Sequence, residues 1–313
     1  MSAWHFLLLI VLLGWLLWRL QPLPLAKTFQ FLERQRGRLC SRRHVHAGVD
    51  WHYLEGGHGE PLVLLHGFNA DAHHFCRTAI HLRHHFRLIA PDLPGFGDTR
   101  YDAEPNFNID DLARRLLAWL DALNIHHCYV GGNSMGGYLA LAMAKQAPDR
   151  IRGLWLLAPG GLRSTPLAPV LQEVLEDRHN PLVVRDYADF KRLLRACFVN
   201  PPWMPSPLLR FLARRASAHN HRAQRIFDAM ASDSTPAETL ADGLSTPALI
   251  VWGQQDQVLH SDGAEVLAGL MPNARTIVLD QVGHLPQLEK PKLVAESWIS
   301  FTQADARQAN NNR

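Results

Sequence analysis

Cysteine is scarce in this chain. Cys40, Cys76, Cys128 and Cys197 are the four in 313 residues, widely separated and in none of the paired spacings that hold zinc. A chain of this length buries a core without disulfide staples, so all four read as structural, with Cys128 a small strand hydrophobe. An excess of one charge is also lacking. Lys and Arg number 32 against 29 Asp and Glu, a formal charge of +3, and no nucleic-acid partner is called for. No internal repeat is visible. Histidine is plentiful, with 18 copies, but neither H-E-x-x-H nor a comparable carboxylate set accompanies the pairs His73-His74, His84-His85 and His126-His127. Solvated surface histidines account for them, and no metal site is expected.

Long apolar runs are missing too, with one exception. "AWHFLLLIVLLGWLLWRL", residues 3–20, approaches the minimum length of a membrane helix. No Lys or Arg precedes it and no A-x-A site follows, which favours an uncleaved anchor over a signal peptide. Trp15 and Trp18 would lie at an interface, and Lys27, Arg34, Arg36, Arg38, Arg42 and Arg43 follow on one side. The expectation is a single-pass N-terminal anchor, membrane lipid as a partner, and the bulk of the chain in the cytoplasm. "PLPLAKTFQFLERQRGRL" spaces Leu25, Phe29 and Leu32 as a helix would, so it reads as a short helix at the bilayer surface or as a plain linker. Anchor and basic segment together occupy residues 1–43.

From His44 the pattern changes. "HVHAGV" and "WHYLEGG" read as a hairpin, followed by the strands "PLVLLHG", "FRLIAPD", "CYVGG", "GLWLLAP", "ALIVWG" and "RTIVLD", several of them continuous apolar runs that mark burial on both faces. Helical stretches such as "IDDLARRLLAWLDAL" alternate with them, and the fold class is α/β with a doubly wound, mostly parallel sheet. The alternation lapses over residues 161–245, which read as an inserted helical cap. The core is thereby divided into 44–160 and 246–303, with a disordered polar tail over 304–313. Between Arg178 and Arg225 basic residues outnumber acidic ones, either as solvated helix faces around a substrate tunnel or as a surface resting on anionic lipid.

Gly132-Asn133-Ser134-Met135-Gly136 matches G-x-S-x-G, and it follows a strand and opens a helix. That context points a serine hydroxyl out at the carboxyl end of the sheet, with glycines where the tight turn meets neighbouring backbone. A serine needs a base to take its proton and an acid to orient the base. His284, in a Gly-His turn after the last strand run, and Asp256, just past the preceding one, complete the order Ser, Asp, His. Rival acids fit less well: Gly160-Gly161 offers no carboxylate, Asp280 lies on the strand end, and Asp262 reads as a helix cap. For a developing oxyanion, "LLHGFNA" supplies the backbone N–H of Phe68 and the helix start supplies that of Met135. His66 and Gly67 shape that loop, His66 as a structural hydrogen-bonding residue.

These residues together resemble the α/β-hydrolase superfamily over residues 44–301, through "HGF", "PDLPGFGDT", "GNSMGG", "WGQQDQV" and "GHLPQLEKP" in that order. The resemblance implies a triad of Ser134, Asp256 and His284. It excludes the dehalogenase and epoxide hydrolase branches, which carry aspartate at the nucleophile. Within the superfamily the chain looks most like the membrane-anchored monoacylglycerol lipases and related bacterial lipases. That implies carboxylic ester hydrolysis on acyl esters or acylglycerols through an acyl-enzyme, with no cofactor. Carbon-carbon bond hydrolases of aromatic degradation share the "GNSMGG" elbow and remain the alternative enzyme reading. They usually carry tryptophan after the histidine, where this chain has Leu285. A binder or lipid sensor that keeps the fold without turnover is the non-enzyme alternative.

Overall fold

The computed structural model describes residues 22–176, 180–201, 204 and 206–311, with Trp4, His5, Leu8, Leu12 and Gly14 ahead of them. Helix α1 (Pro22–Gly37) leads into strands β1 (Leu39–His46) and β2 (Val49–Gly57), joined by a tight turn. Ala47 and Gly48 in that turn have φ of 48° and 73°, the left-handed pair whose twist matches a hairpin. Then follow β3 (Glu60–Leu65), α2 (Cys76–Leu82), β4 (Phe86–Pro91), the two-residue β5 (Arg100–Tyr101), α3 (Ile109–Ala122), β6 (Cys128–Asn133), α4 (Met135–Gln146) and β7 (Ile151–Leu157). Among the described residues five helices follow β7: α5 (Pro169–Leu175), α6 (Tyr187–Cys197), α7 (Ser206–Ser217), α8 (Asn220–Asp233) and α9 (Ala237–Ala241). The chain closes with β8 (Ala248–Gly253), α10 (Gly263–Leu270), β9 (Ala274–Leu279), α11 (Pro286–Glu289) and α12 (Pro291–Asn311).

The strands form one sheet in the order β1-β2-β4-β3-β6-β7-β8-β9, with β5 on β2. Pairing is antiparallel among β1, β2, β4 and β5, and parallel from β4 through β3 to β9. Parallel strands need crossovers, and these put helices on both faces. Successive side chains on one strand therefore enter different cores. Val63 and Leu65 pack with α3 and α4, whereas Leu62 and Leu64 pack with α2 and α12. All four are essentially fully buried, each contributing roughly 1.5–3 kcal/mol from leaving water. In the second core Trp298 of α12 stacks between Trp155 and Phe301 at 5.7 and 5.5 Å. The residues expected to be a disordered tail begin inside α12, which runs to Asn311.

The helices between β7 and β8 fall within residues 161–245, and no strand interrupts them among the described residues. Their return path is bolted to the core. The Ile109 N–H donates to Ser234 Oγ at 3.0 Å, and Thr235 Oγ1 donates to Asp110 Oδ2 at 2.9 Å. On the opposite side Asn69 Nδ2 donates to the Leu182 carbonyl at 2.8 Å.

The membrane expectation requires correction. Among the described residues no helix is long and apolar enough to cross a membrane, so a single-pass anchor, and the cytoplasmic orientation inferred from it, are not supported. Most of residues 3–20 lies outside the described residues. The basic segment after it is a helix rather than a linker: α1 carries Lys27, Glu33, Arg34 and Arg36 and is tied to the core. Arg77 Nε donates to Glu33 Oε2 at 3.3 Å, and Arg83 Nη1 to the Arg36 carbonyl at 2.6 Å.

Candidate active site

Ser134 stands where β6 becomes α4, with φ 55° and ψ −119°. A non-glycine residue in that region is strained, and the crossing backbone holds it there. The N–H of Ser134 donates to the Leu157 carbonyl at 3.0 Å, and its own carbonyl accepts from Tyr138 and Gly160 at 3.0 and 2.9 Å. The hydroxyl does not cap the helix, so it stays available for other chemistry. Both flanking glycines are required. A Cβ on Gly132 would run into the carbonyl of Gly136, and one on Gly136 into the carbonyl of Leu65. The start of α4 is thus pressed against the end of β3, and the loop after β3 crosses the serine: a Cβ on Gly67 would come within 3.2 Å of Ser134 Cβ.

That loop carries one of the two expected oxyanion donors, and the helix after the serine carries the other. Phe68 follows Gly67, and Met135 is the first residue of α4, where the helix dipole favours negative charge. Neither N–H donates to another described residue. His66 fixes the loop from beneath. Fully buried, it accepts the Leu93 N–H on Nε2 at 2.9 Å and donates from Nδ1 to the Gly67 carbonyl at 2.7 Å. Burial pushes its pKa below the ordinary histidine value, which matches a ring that must stay neutral to accept on Nε2. Above the loop, Phe68 meets Phe96 and, from α8, Phe227 edge to face at 5.5 and 5.9 Å.

Asp256 and His284 come together. His284 Nδ1 lies 2.8 Å from Asp256 Oδ2, with both side chains almost wholly buried. The carboxylate is fully engaged: Oδ2 also accepts from Trp252 Nε1 at 3.1 Å, and Oδ1 accepts the N–H groups of Val258 and Leu259 at 2.8 and 3.0 Å. Such a fixed acceptor holds the imidazole with its proton on Nδ1 and Nε2 free. The turn bearing His284 crosses the end of β8 so closely that a Cβ on Gly253 would overlap the carbonyl of Gly283. Asn133, beside the serine, donates from Nδ2 to the His284 carbonyl at 3.1 Å. The rival acids are engaged elsewhere, Asp280 with Gln255 and Asp262 with His260.

Sequence reasoning passed over three supporting side chains: Asn133, Trp252 and Glu289. All three stand within the quoted motifs, but only tertiary structure shows what each touches. It also missed a second Ser-His-Asp chain, in which Ser41 Oγ lies 2.8 Å from His52 Nε2 and His52 Nδ1 lies 2.7 Å from Asp92 Oδ2. Ser41 sits in an extended edge strand, however, away from any helix N-terminus or glycine turn. Asp92 there anchors backbone, accepting the N–H groups of Ala72 and Asp98 at 2.8 and 2.7 Å.

Comparison with known proteins agrees with this architecture. The family described as alpha/beta hydrolase fold matches residues 60–291. Lipase 3 of Moraxella sp. (strain TA144) is 31% identical over 246 residues, 78% of this chain and 77% of that one. Monoacylglycerol lipase ABHD6 of Homo sapiens is 26% identical over 267 residues, 82% and 79% of the two chains. The crystal structure of a membrane phospholipase A, described as a bacterial virulence factor, superposes with a TM-score of 0.88 at 30% identity, covering 96% of this chain and 98% of that one. With the family matching from β3 to the start of α12, the chain belongs to the α/β-hydrolase family.

Proposed function

We propose that this protein is a carboxylic ester hydrolase acting on lipids, with Ser134 as nucleophile, His284 as general base and Asp256 as its orienting acid. The observation that carries the reading is the 2.8 Å contact between His284 Nδ1 and Asp256 Oδ2, linked through the Asn133 amide on the His284 carbonyl at 3.1 Å to a serine held in a strained elbow at φ 55°. In the first step Ser134 Oγ attacks the acyl carbonyl and His284 Nε2 takes its proton. The oxyanion that forms accepts from the N–H groups of Phe68 and Met135, each donor worth about 3–4 kcal/mol in comparable sites. The imidazolium then protonates the leaving alcohol as the C–O bond breaks and an acyl-serine remains. Water, deprotonated by the same imidazole, releases the carboxylic acid.

A lipid acyl chain suits the surroundings. Phe68, Phe96 and Phe227 form one apolar cluster beside the elbow, and Phe198, Val258 and Leu285 pack together near the Asp–His pair. The lipase relatives support the same substrate class. A fluorophosphonate probe with intact-mass detection tests the nucleophile: one adduct on the wild type, absent from Ser134→Ala, is expected. An unlabelled wild type, or equal labelling of the variant, refutes the acyl-enzyme. A panel of acylglycerols, nitrophenyl esters of rising length and a vinylogous dienol acid then assigns the substrate. Turnover of the dienol acid with idle esters would favour carbon-carbon hydrolysis instead.

A further inference from the structure

The turn that carries His284 is fastened to the cap as well as to the core. Glu289 closes the short helix α11, and its carboxylate spans two parts of the chain. Oε1 accepts the Gly283 N–H at 2.7 Å, while Oε2 accepts the N–H groups of Val199 and Asn200 at 3.1 and 3.0 Å. The last two amides lie just beyond the C-terminus of α6. Alongside them the His284 N–H donates to the Cys197 carbonyl at 2.9 Å. The approach is so close that a Cβ on Gly283 would stand 2.7 Å from that oxygen. None of these bonds involves Ser134 or Asp256.

We propose that Glu289 is a positioning residue that couples the cap to the imidazole of His284. This rests on the assignment of His284 as the base. Both carboxylate oxygens receive backbone N–H groups, and a charged acceptor makes such bonds stronger than neutral ones, so a shift of the α6 end passes through the carboxylate to Gly283 and thence to His284. A misplacement of about 1 Å at such a base costs roughly 100-fold in rate. The cap segment after α6 is therefore part of what sets the reactive geometry, and an acyl chain that displaces α6 changes the base as well as the binding space.

Glu289→Gln isolates the coupling. Its amide oxygen can still accept the Gly283 N–H, but its NH2 group then faces the two donors of Val199 and Asn200 and cannot replace Oε2. The expected result is faster hydrogen–deuterium exchange in segments 280–290 and 195–201 together, with the central sheet still protected. Alongside it, kcat on a short nitrophenyl ester falls at least ten-fold while KM stays within two-fold. Faster exchange in only one segment, or in neither, overturns the coupling whether or not the protein hydrolyses esters. Faster exchange in both with kcat unchanged overturns the positioning role. Gly283→Ala, which pushes the same two segments apart from the other side, is expected to reproduce both effects. A wild type lacking Ser134-dependent activity would count against the active-site reading, and the exchange measurement would still decide the coupling through Glu289.

Discussion

Asn133 binds the backbone of His284. Its Nδ2 donates to the His284 carbonyl at 3.1 Å and to the Leu157 carbonyl at 3.0 Å, so the position before Ser134 ties β6, β7 and the histidine turn together. Asn133→Ala leaves the buried His284 carbonyl without its donor, at about 1–3 kcal/mol for a group left unsatisfied, whereas the Leu157 carbonyl keeps the Ser134 N–H. We expect a lowered urea midpoint and a fall in kcat that exceeds any change in KM. An unchanged midpoint would mean that this amide holds nothing.

Asp256→Asn alters one atom with a large consequence. If the amide oxygen keeps the Val258 and Leu259 N–H groups, the NH2 group confronts the donors of Trp252 and His284. The ring then loses the acceptor that keeps its proton on Nδ1. A fall in kcat of about 10³–10⁴-fold is expected, measured on any ester that the wild type turns over. Asp280→Asn and Asp262→Asn, whose carboxylates bind Gln255 and His260, should leave kcat nearly unchanged.

Two glycines give opposite outcomes. Gly136→Ala drives a methyl group into the Leu65 carbonyl, a backbone atom that cannot swing away, and a loss of about 3 kcal/mol or more is expected. Gly269, near the end of α10, has nothing within 4 Å of a built Cβ. Gly269→Ala should therefore stabilise by roughly 0.5–1 kcal/mol. Thermal melts of the pair check both signs.

What could be read from the sequence was what local pattern controls. Continuous apolar runs marked β3, β6, β7 and β8 because strands buried on both faces have no polar side to show. The spacing of glycines around Ser134 marked the elbow because backbone crowding there is itself local. Partners fixed by tertiary approach were illegible: nothing near Glu289 in sequence says that its carboxylate reaches the end of α6. Ser41, His52 and Asp92 lie on three separate segments with no spacing signature. The apolar run over 3–20 shows the opposite error, since hydropathy alone suggested a span that no described helix provides.

The loop after β3 also makes stability depend on pH, and the sign follows from three histidines. Burial pushes His66 below its ordinary value and His74 down to about 4. Between pH 6.5 and about 4 the unfolded chain therefore binds protons that the folded chain refuses, and stability falls as pH falls. His73 differs: burial opposes its charge, but the hydrogen bond to Asp71 and that group's charge outweigh it, and its pKa is raised. Its contribution is complete below pH 6.5 and is lost only as pH rises, so it does not offset the acid-side decline. Asp71, its carboxyl lowered despite burial by the hydrogen bond from His73, keeps its own contribution until below the usual carboxylate range. At pH 4.5 the His74 term alone is on the order of 2 kcal/mol. The urea midpoint should therefore drop between pH 6.5 and 4.5, and His74→Phe, which has no proton to take up, should flatten that slope. Equal slopes for wild type and variant would show that His74 is free to ionise in the folded protein.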